Sequence, residues 1–172
     1  MPRWAAVVYL CGFASLLPVT AWAQRRKPAN PGAADNQISV SIEAKVAGKT
    51  YQGSGSGSCK HADEASIHGL SAALWMVQFD GSKDASLRSL TLTLWRPKDG
   101  SPDQLSLSLE TKAGSHRVQT GGAGGNEGEG SVTILPSGPG GRLEIAGKES
   151  EGKSLQIVIE CSAFGEVEAE GG

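Results

Sequence analysis

The residues best equipped for chemistry lie close together: His61, Asp63, Glu64 and His68 fall within eight positions, just after Cys59. Imidazole and carboxylate at close spacing can converge on a divalent cation or relay a proton to a substrate. The order His-x-Asp-Glu-x-x-x-His nevertheless matches no metal-ligand signature, and solvated loops gather the same residue types. Residues 60–70 therefore read as a surface loop, with at most one helical turn and no bound metal. Replacing His61 or His68 by alanine is then expected to change stability by no more than about 0.5 kcal/mol. His116 is expected at the rim of the core; no Ser or Cys nucleophile is tied to it by motif, so it reads as structural rather than as a general base. The run Gly53-Ser54-Gly55-Ser56-Gly57-Ser58 could cradle a phosphate, but no Gly-Lys-Ser/Thr follows it. No catalytic residue, metal ligand or cofactor is assigned. The alternative is a small secreted hydrolase or metal-dependent enzyme built on the 61–68 segment, since groups assembled only by folding escape arguments from spacing.

The elements that would position these residues follow from the address and the pattern. Arg3, the apolar run at 5–19 and Ala21-Trp22-Ala23 before Gln24 read as a signal peptide over 1–23. That run is shorter than the roughly 20 residues of a spanning helix. Export leaves 15 basic against 18 acidic residues, which is no nucleic-acid footprint, and no membrane span in the mature chain. The expected location is secreted or periplasmic, with a partner at the cell envelope or among proteins. Cys11 leaves with the leader, so Cys59 and Cys161 remain in an oxidising compartment, where a disulfide is the default.

The rest is β-pattern. Ile38, Val40, Ile42, Ala44 and Val46 alternate with polar residues, and so do Leu155, Ile157, Ile159 and Cys161 in the last strand. A two-residue turn at Ala47-Gly48 would set Ile42 against Gly53, Val40 against Gly55 and Ile38 against Gly57. A bulky ring, Trp75 or Trp95, should lie over those glycines. Leu90, Leu92 and Leu94, then Leu105, Leu107 and Leu109, form further inner rows; a turn at Ala113-Gly114 would set Leu109 against Val118 and Thr111 against His116. Ala146-Gly147-Lys148 repeats the turn chemistry of Ala47-Gly48-Lys49. The 24 glycines, spread between alternating segments, suit tight turns. The expectation is an all-β antiparallel sandwich, or open barrel, of about 8–9 strands with one disulfide. Its organisation would be a flexible leader at 24–36, a single domain at 37–164 and an acidic disordered tail at 165–172; residues 121–130 read as a loop.

Gly57-Ser58-Cys59, Gly114-Ser115-His116 and the closing strand at 153–161 together resemble the LpqH-type surface lipoprotein antigens of mycobacteria. That resemblance implies an exported β-rich domain with one disulfide between an early strand and the last, and a surface or adhesion role without catalysis. The chain lacks that family's lipobox cysteine. The functional expectation is an exported, non-enzymatic β-sandwich that binds or scaffolds something at the cell envelope or outside the cell.

Overall fold

The computed structural model describes residues 38–67, 69–121 and 125–167. The expected leader segments, His68 and residues 168–172 lie outside the described residues.

The described residues form ten strands, most of them built on alternating apolar residues: β1 (Ile38–Val46), β2 (Lys49–Ile67), β3 (Leu70–Asp80), β4 (Leu87–Pro97), β5 (Gln104–Thr111), β6 (Gly114–Thr120), β7 (Glu129–Ser137), β8 (Gly140–Lys148), β9 (Ser154–Cys161) and β10 (Gly165–Glu166). Nine form a curled sheet in the order β6-β5-β4-β3-β2-β1-β9-β8-β7, with every neighbouring pair antiparallel. The result is a nearly closed antiparallel sandwich or barrel. Eight antiparallel pairings separate β6 from β7, so these two edges run the same way round the ring. An antiparallel ladder cannot complete the closure. Among the described residues an isolated bridge joins Gln119 on β6 to Glu127, just before β7, with amide-to-carbonyl distances of 2.9 and 2.8 Å.

The core is the inner face of the sheet. Val40, Ile42, Leu90, Leu92, Leu107, Leu143, Ile157 and Ile159 are all fully or almost fully buried there. Sheet curvature is set partly by glycine. The β1–β2 register is the expected one, with Ile42 opposite Gly53 and Ile38 opposite Gly57. The turn between them places Ala47 at φ 47° and Gly48 at φ 82°, the paired left-handed conformation of a two-residue hairpin. The expected ring over the glycines is Phe79 rather than either tryptophan: a Cβ at Gly53 would lie 2.8 Å from the Phe79 ring, and one at Gly57 would lie 2.7 Å from Val40. Trp95 instead joins Ala72 and Leu74 in a small second core on the outer face, against which Ala65 and Val167 pack.

Cys59 and Cys161 form the expected disulfide, joining β2 and β9, the two strands that flank β1, across 102 positions of sequence. Three local expectations are corrected. Residues 60–67 are strand, not loop: β2 continues to Ile67 against β3, with a bulge between Ala62 and Ala65 that absorbs Asp63 and Glu64. The β5–β6 turn lies one residue earlier than Ala113-Gly114, at Lys112-Ala113, so His116 faces Leu109 and Val118 faces Leu107. There the Thr111 hydroxyl donates to the Gly114 carbonyl at 3.0 Å and accepts the Ala113 amide at 3.1 Å, which fixes the shorter frame. The chain beyond residue 164 does not fray at once: Gly165 and Glu166 pair in parallel with Lys60 and His61.

Candidate functional site

β2 outruns β1, so His61 stands at the end of the barrel, flanked by β3 on one side and β10 on the other. Its register partner is Trp75. The two rings stack with centroids 4.4 Å apart and planes 10° from parallel. Phe164 meets the imidazole edge-on at 6.1 Å. His61 Nδ1–H donates to the Leu74 carbonyl at 2.9 Å, and Nε2 lies 3.0 Å from Asp63 Oδ1. Both nitrogens thus face oxygen acceptors, and the ring is held in one orientation.

The stack continues along the rim. The Arg96 guanidinium on β4 lies 5.4 Å from the Trp75 ring centroid. It donates to both Asp103 oxygens, with a shortest contact of 2.7 Å, and to the Val132 carbonyl on β7 at 3.1 Å. The Asp103 hydrogen bonds hold its pKa above the ordinary arginine value. Phe164, His61, Trp75, Arg96 and Asp103 form a cross-strand ladder of rings and charges that caps this end and ties β4 to the far edge of the seam.

Of the described residues among His61, Asp63, Glu64, His68 and His116, His61 and Asp63 meet. Glu64, one residue on, turns to Lys98 at 2.8 Å, and that hydrogen bond is the main reason its carboxyl sits below the usual range. His61 shares a row with Trp75, Leu94, Leu105 and Thr120, so His116 lies four residues back along β6 and four strands away round the sheet. There His116 Nδ1–H donates to Glu149 Oε1 at 3.0 Å, with the two side chains 12% and 10% exposed. The same oxygen accepts the Arg117 amide at 3.3 Å. His116 Nε2 is buried without a hydrogen-bond partner among the described residues. This pair latches the β8–β9 turn onto the edge of β6.

Among the described residues no group of three or more His, Cys, Asp or Glu side chains could hold a metal ion, and no helix is long and apolar enough to cross a membrane. Sequence reading missed Arg96, Asp103, Glu149 and Phe164. The only signal was compositional: an Arg just beyond an apolar strand, and an acid beside a turn. Comparison with protein-family models, curated proteins and solved structures finds no match to this chain, so the site stands on its own geometry.

Proposed function

We propose that the protein is an exported, non-enzymatic β-sandwich with a binding or structural role at the cell envelope or outside the cell. The observation that carries this reading is the Cys59–Cys161 bond, with Cys59 fully buried and Cys161 nearly so. Structural disulfides of this kind persist in oxidising compartments. Three of the polar residues with chemical potential support the same reading, because they are engaged within the fold: His61 in the rim ladder, Glu64 with Lys98, His116 with Glu149. A surface or adhesion role, as in the lipoprotein antigens it resembles, fits such a scaffold.

The alternative, a small hydrolase or metal-dependent enzyme, has one observation in its favour, the 3.0 Å contact between His61 and Asp63. One experiment separates the two. The protein is expressed in its exporting cell, fractionated, and cross-linked at the surface, while the purified chain is assayed against ester, glycoside and peptide substrates with and without zinc. The expected result is an oxidised protein outside the cytosol that cross-links to an envelope component and turns over nothing. Turnover abolished by Asp63→Asn, or a reduced protein confined to the cytosol, would overturn the proposal.

A further inference from the structure

Both ring nitrogens of His61 face oxygen: Nδ1 lies 2.9 Å from the Leu74 carbonyl and Nε2 lies 3.0 Å from Asp63 Oδ1. Neither oxygen brings a hydrogen of its own while Asp63 is ionised. A neutral imidazole has one N–H and turns a lone pair to the other oxygen, whereas an imidazolium has two and satisfies both. The ring also lies flat on Trp75, and an indole face attracts a cation placed over it. The charged ring is therefore the form that all of these contacts suit.

The residues that lean on His61 follow β9. Ser162 fixes the exit, its amide donating to the Ser39 carbonyl at 3.0 Å and its hydroxyl accepting the Ser39 amide at 3.0 Å. The chain then takes the lane beside β2 that β1 leaves at Ile38, where Gly165 pairs with Lys60 and Glu166 with His61. Register partners share a face and neighbours along a strand alternate, so Phe164 and Glu166 stand on the His61 face and Val167 on the other. Phe164 meets the imidazole edge-on, and Val167 packs into the second core with Trp95. Two backbone pairs are a thin hold for this strap of residues 164–167, so its side chains decide how firmly it sits.

The charges around the ring favour the same form. On β2 the Asp63 carboxylate touches it, while Lys60 turns to the opposite face. On β10 Glu166 adds a second carboxylate on the ring's own face. β3 offers only Trp75 and the Leu74 carbonyl, and behind Trp75 the Arg96 charge on β4 is matched by Asp103. Glu64 and Lys98 are paired with each other. We propose that His61 is a proton-operated fastener: with both nitrogens protonated it draws the strap of residues 164–167 onto β2, and on losing one proton it lets the strap loosen. The proton given up is the one on Nε2, because the Asp63 side chain is 93% exposed and, at the bulge between Ala62 and Ala65, can turn into water. Glu166 then faces a neutral ring. The charged ring makes one hydrogen bond and one charge contact more than the neutral one, so the strap is tight on the acid side and loosens as pH rises through the imidazole range of about 5 to 8. The carboxylates stay ionised there, since they titrate near pH 4. The inference goes beyond the envelope role and does not depend on it.

The test is amide exchange of the purified protein by NMR at about pH 5.5 and about pH 8, corrected for the intrinsic pH dependence of exchange. The Phe164 amide, which donates to the Pro139 carbonyl at 2.8 Å, reports on the strap. Its protection relative to the amides of β1 is expected to be about threefold or more higher at the lower pH. His61→Phe keeps a ring on Trp75 but cannot carry charge, and should abolish the difference. Glu166→Gln, a change at an exposed position, should reduce it by about half or more, and decides the matter if the phenylalanine variant fails to fold. A smaller or inverted ratio in the wild type, or one that survives in His61→Phe or undiminished in Glu166→Gln, would overturn the proposal.

Discussion

The flank β2–β1–β9 and the seam between β6 and β7 hold the same sheet together by different means. On the flank β1 is laddered on both sides, from Val46 up to Val40, and the disulfide joins its two neighbours. At the seam, strand parity denies the edges an antiparallel ladder, and polar side chains span much of the gap. The Glu149 carboxylate takes the Arg117 amide and the Arg96 guanidinium reaches the Val132 carbonyl, beside the isolated backbone bridge of Gln119 with Glu127. Pro136 on β7 has no amide to offer a stranger strand. Backbone pairing and a covalent bond make the flank indifferent to charge, whereas the seam depends on individual carboxylates. Of the polar residues that look catalytic in the sequence, His116 belongs to this second kind of closure, through Glu149.

Breaking each region in turn should show the difference. The largest effect is expected at the flank: Cys59→Ala/Cys161→Ala removes a constraint on a long loop and should cost about 2 to 5 kcal/mol, lowering the melting temperature by about ten degrees or more. Titration of two thiols in the unreduced, denatured wild type would contradict the bond itself. The next effect belongs to the seam. Glu149→Ala leaves His116 Nδ1 and the Arg117 amide without their acceptor in a largely buried place, which should cost about 2 to 3 kcal/mol. Amide exchange should then speed up at Arg117 and Gln119 before it does so on β1. Uniform acceleration across both regions would mean that the seam is not a separate weak point.

The flank was legible in the sequence and the seam was not, for a physical reason. Alternation and an Ala-Gly turn fix the β1–β2 register down to Ile38 opposite Gly57, because a slip by one residue would turn every apolar side chain to solvent. A shift of the turn by one residue keeps that alternation, which is why Thr111 could be set against His116 when its partner is Gly114. Periodicity says which face a residue takes, and the turn residues alone choose the frame. Ala146-Gly147-Lys148 misleads in the same way. It stays within β8, where a Cβ at Gly147 would lie 2.7 Å from the Glu129 carbonyl, so the glycine there serves close strand approach and not a turn. Seam contacts join residues 33 and 36 positions apart through single side chains, and no local pattern encodes them.

His61 tests the rim ladder, and here the structure revises the expectation from sequence. A loop histidine would be replaceable at almost no cost; a ring stacked on Trp75 and bonded to Leu74 is not. His61→Ala should therefore cost about 1 to 2 kcal/mol, from a lost stacking contact and a lost hydrogen bond. His61→Phe, which keeps the stack, should recover part of it. Equal losses in the two variants would show that the hydrogen bond, and not the ladder, holds the rim.

The smallest effect concerns Lys98 and Glu64, which fasten the β4–β5 connection to the tip of β2. The contact is short, 2.8 Å, but the Glu64 side chain is 81% exposed, so solvent screens it and little stability rests on it. Its signature is the titration of Glu64. The Lys98 hydrogen bond, and then its charge, hold the Glu64 carboxyl below the ordinary value of 4.5, against a smaller opposing push from Asp63. A carboxyl lowered on folding adds stability above its unfolded value, and that stability is lost as pH falls through the folded value. Lys98→Met removes both causes and leaves Asp63, so the Glu64 midpoint should return to 4.5 or slightly above, as read by carboxyl-carbon NMR. The slight gain in stability between the two midpoints should vanish in the same variant. Lys98 also ties the β4–β5 connection to β3 through its backbone, whose amide donates to the Ser71 carbonyl at 3.0 Å and which methionine preserves. A Glu64 midpoint that does not move in Lys98→Met would show that the side chains do not pair in solution and that the backbone bond to Ser71 alone holds the connection.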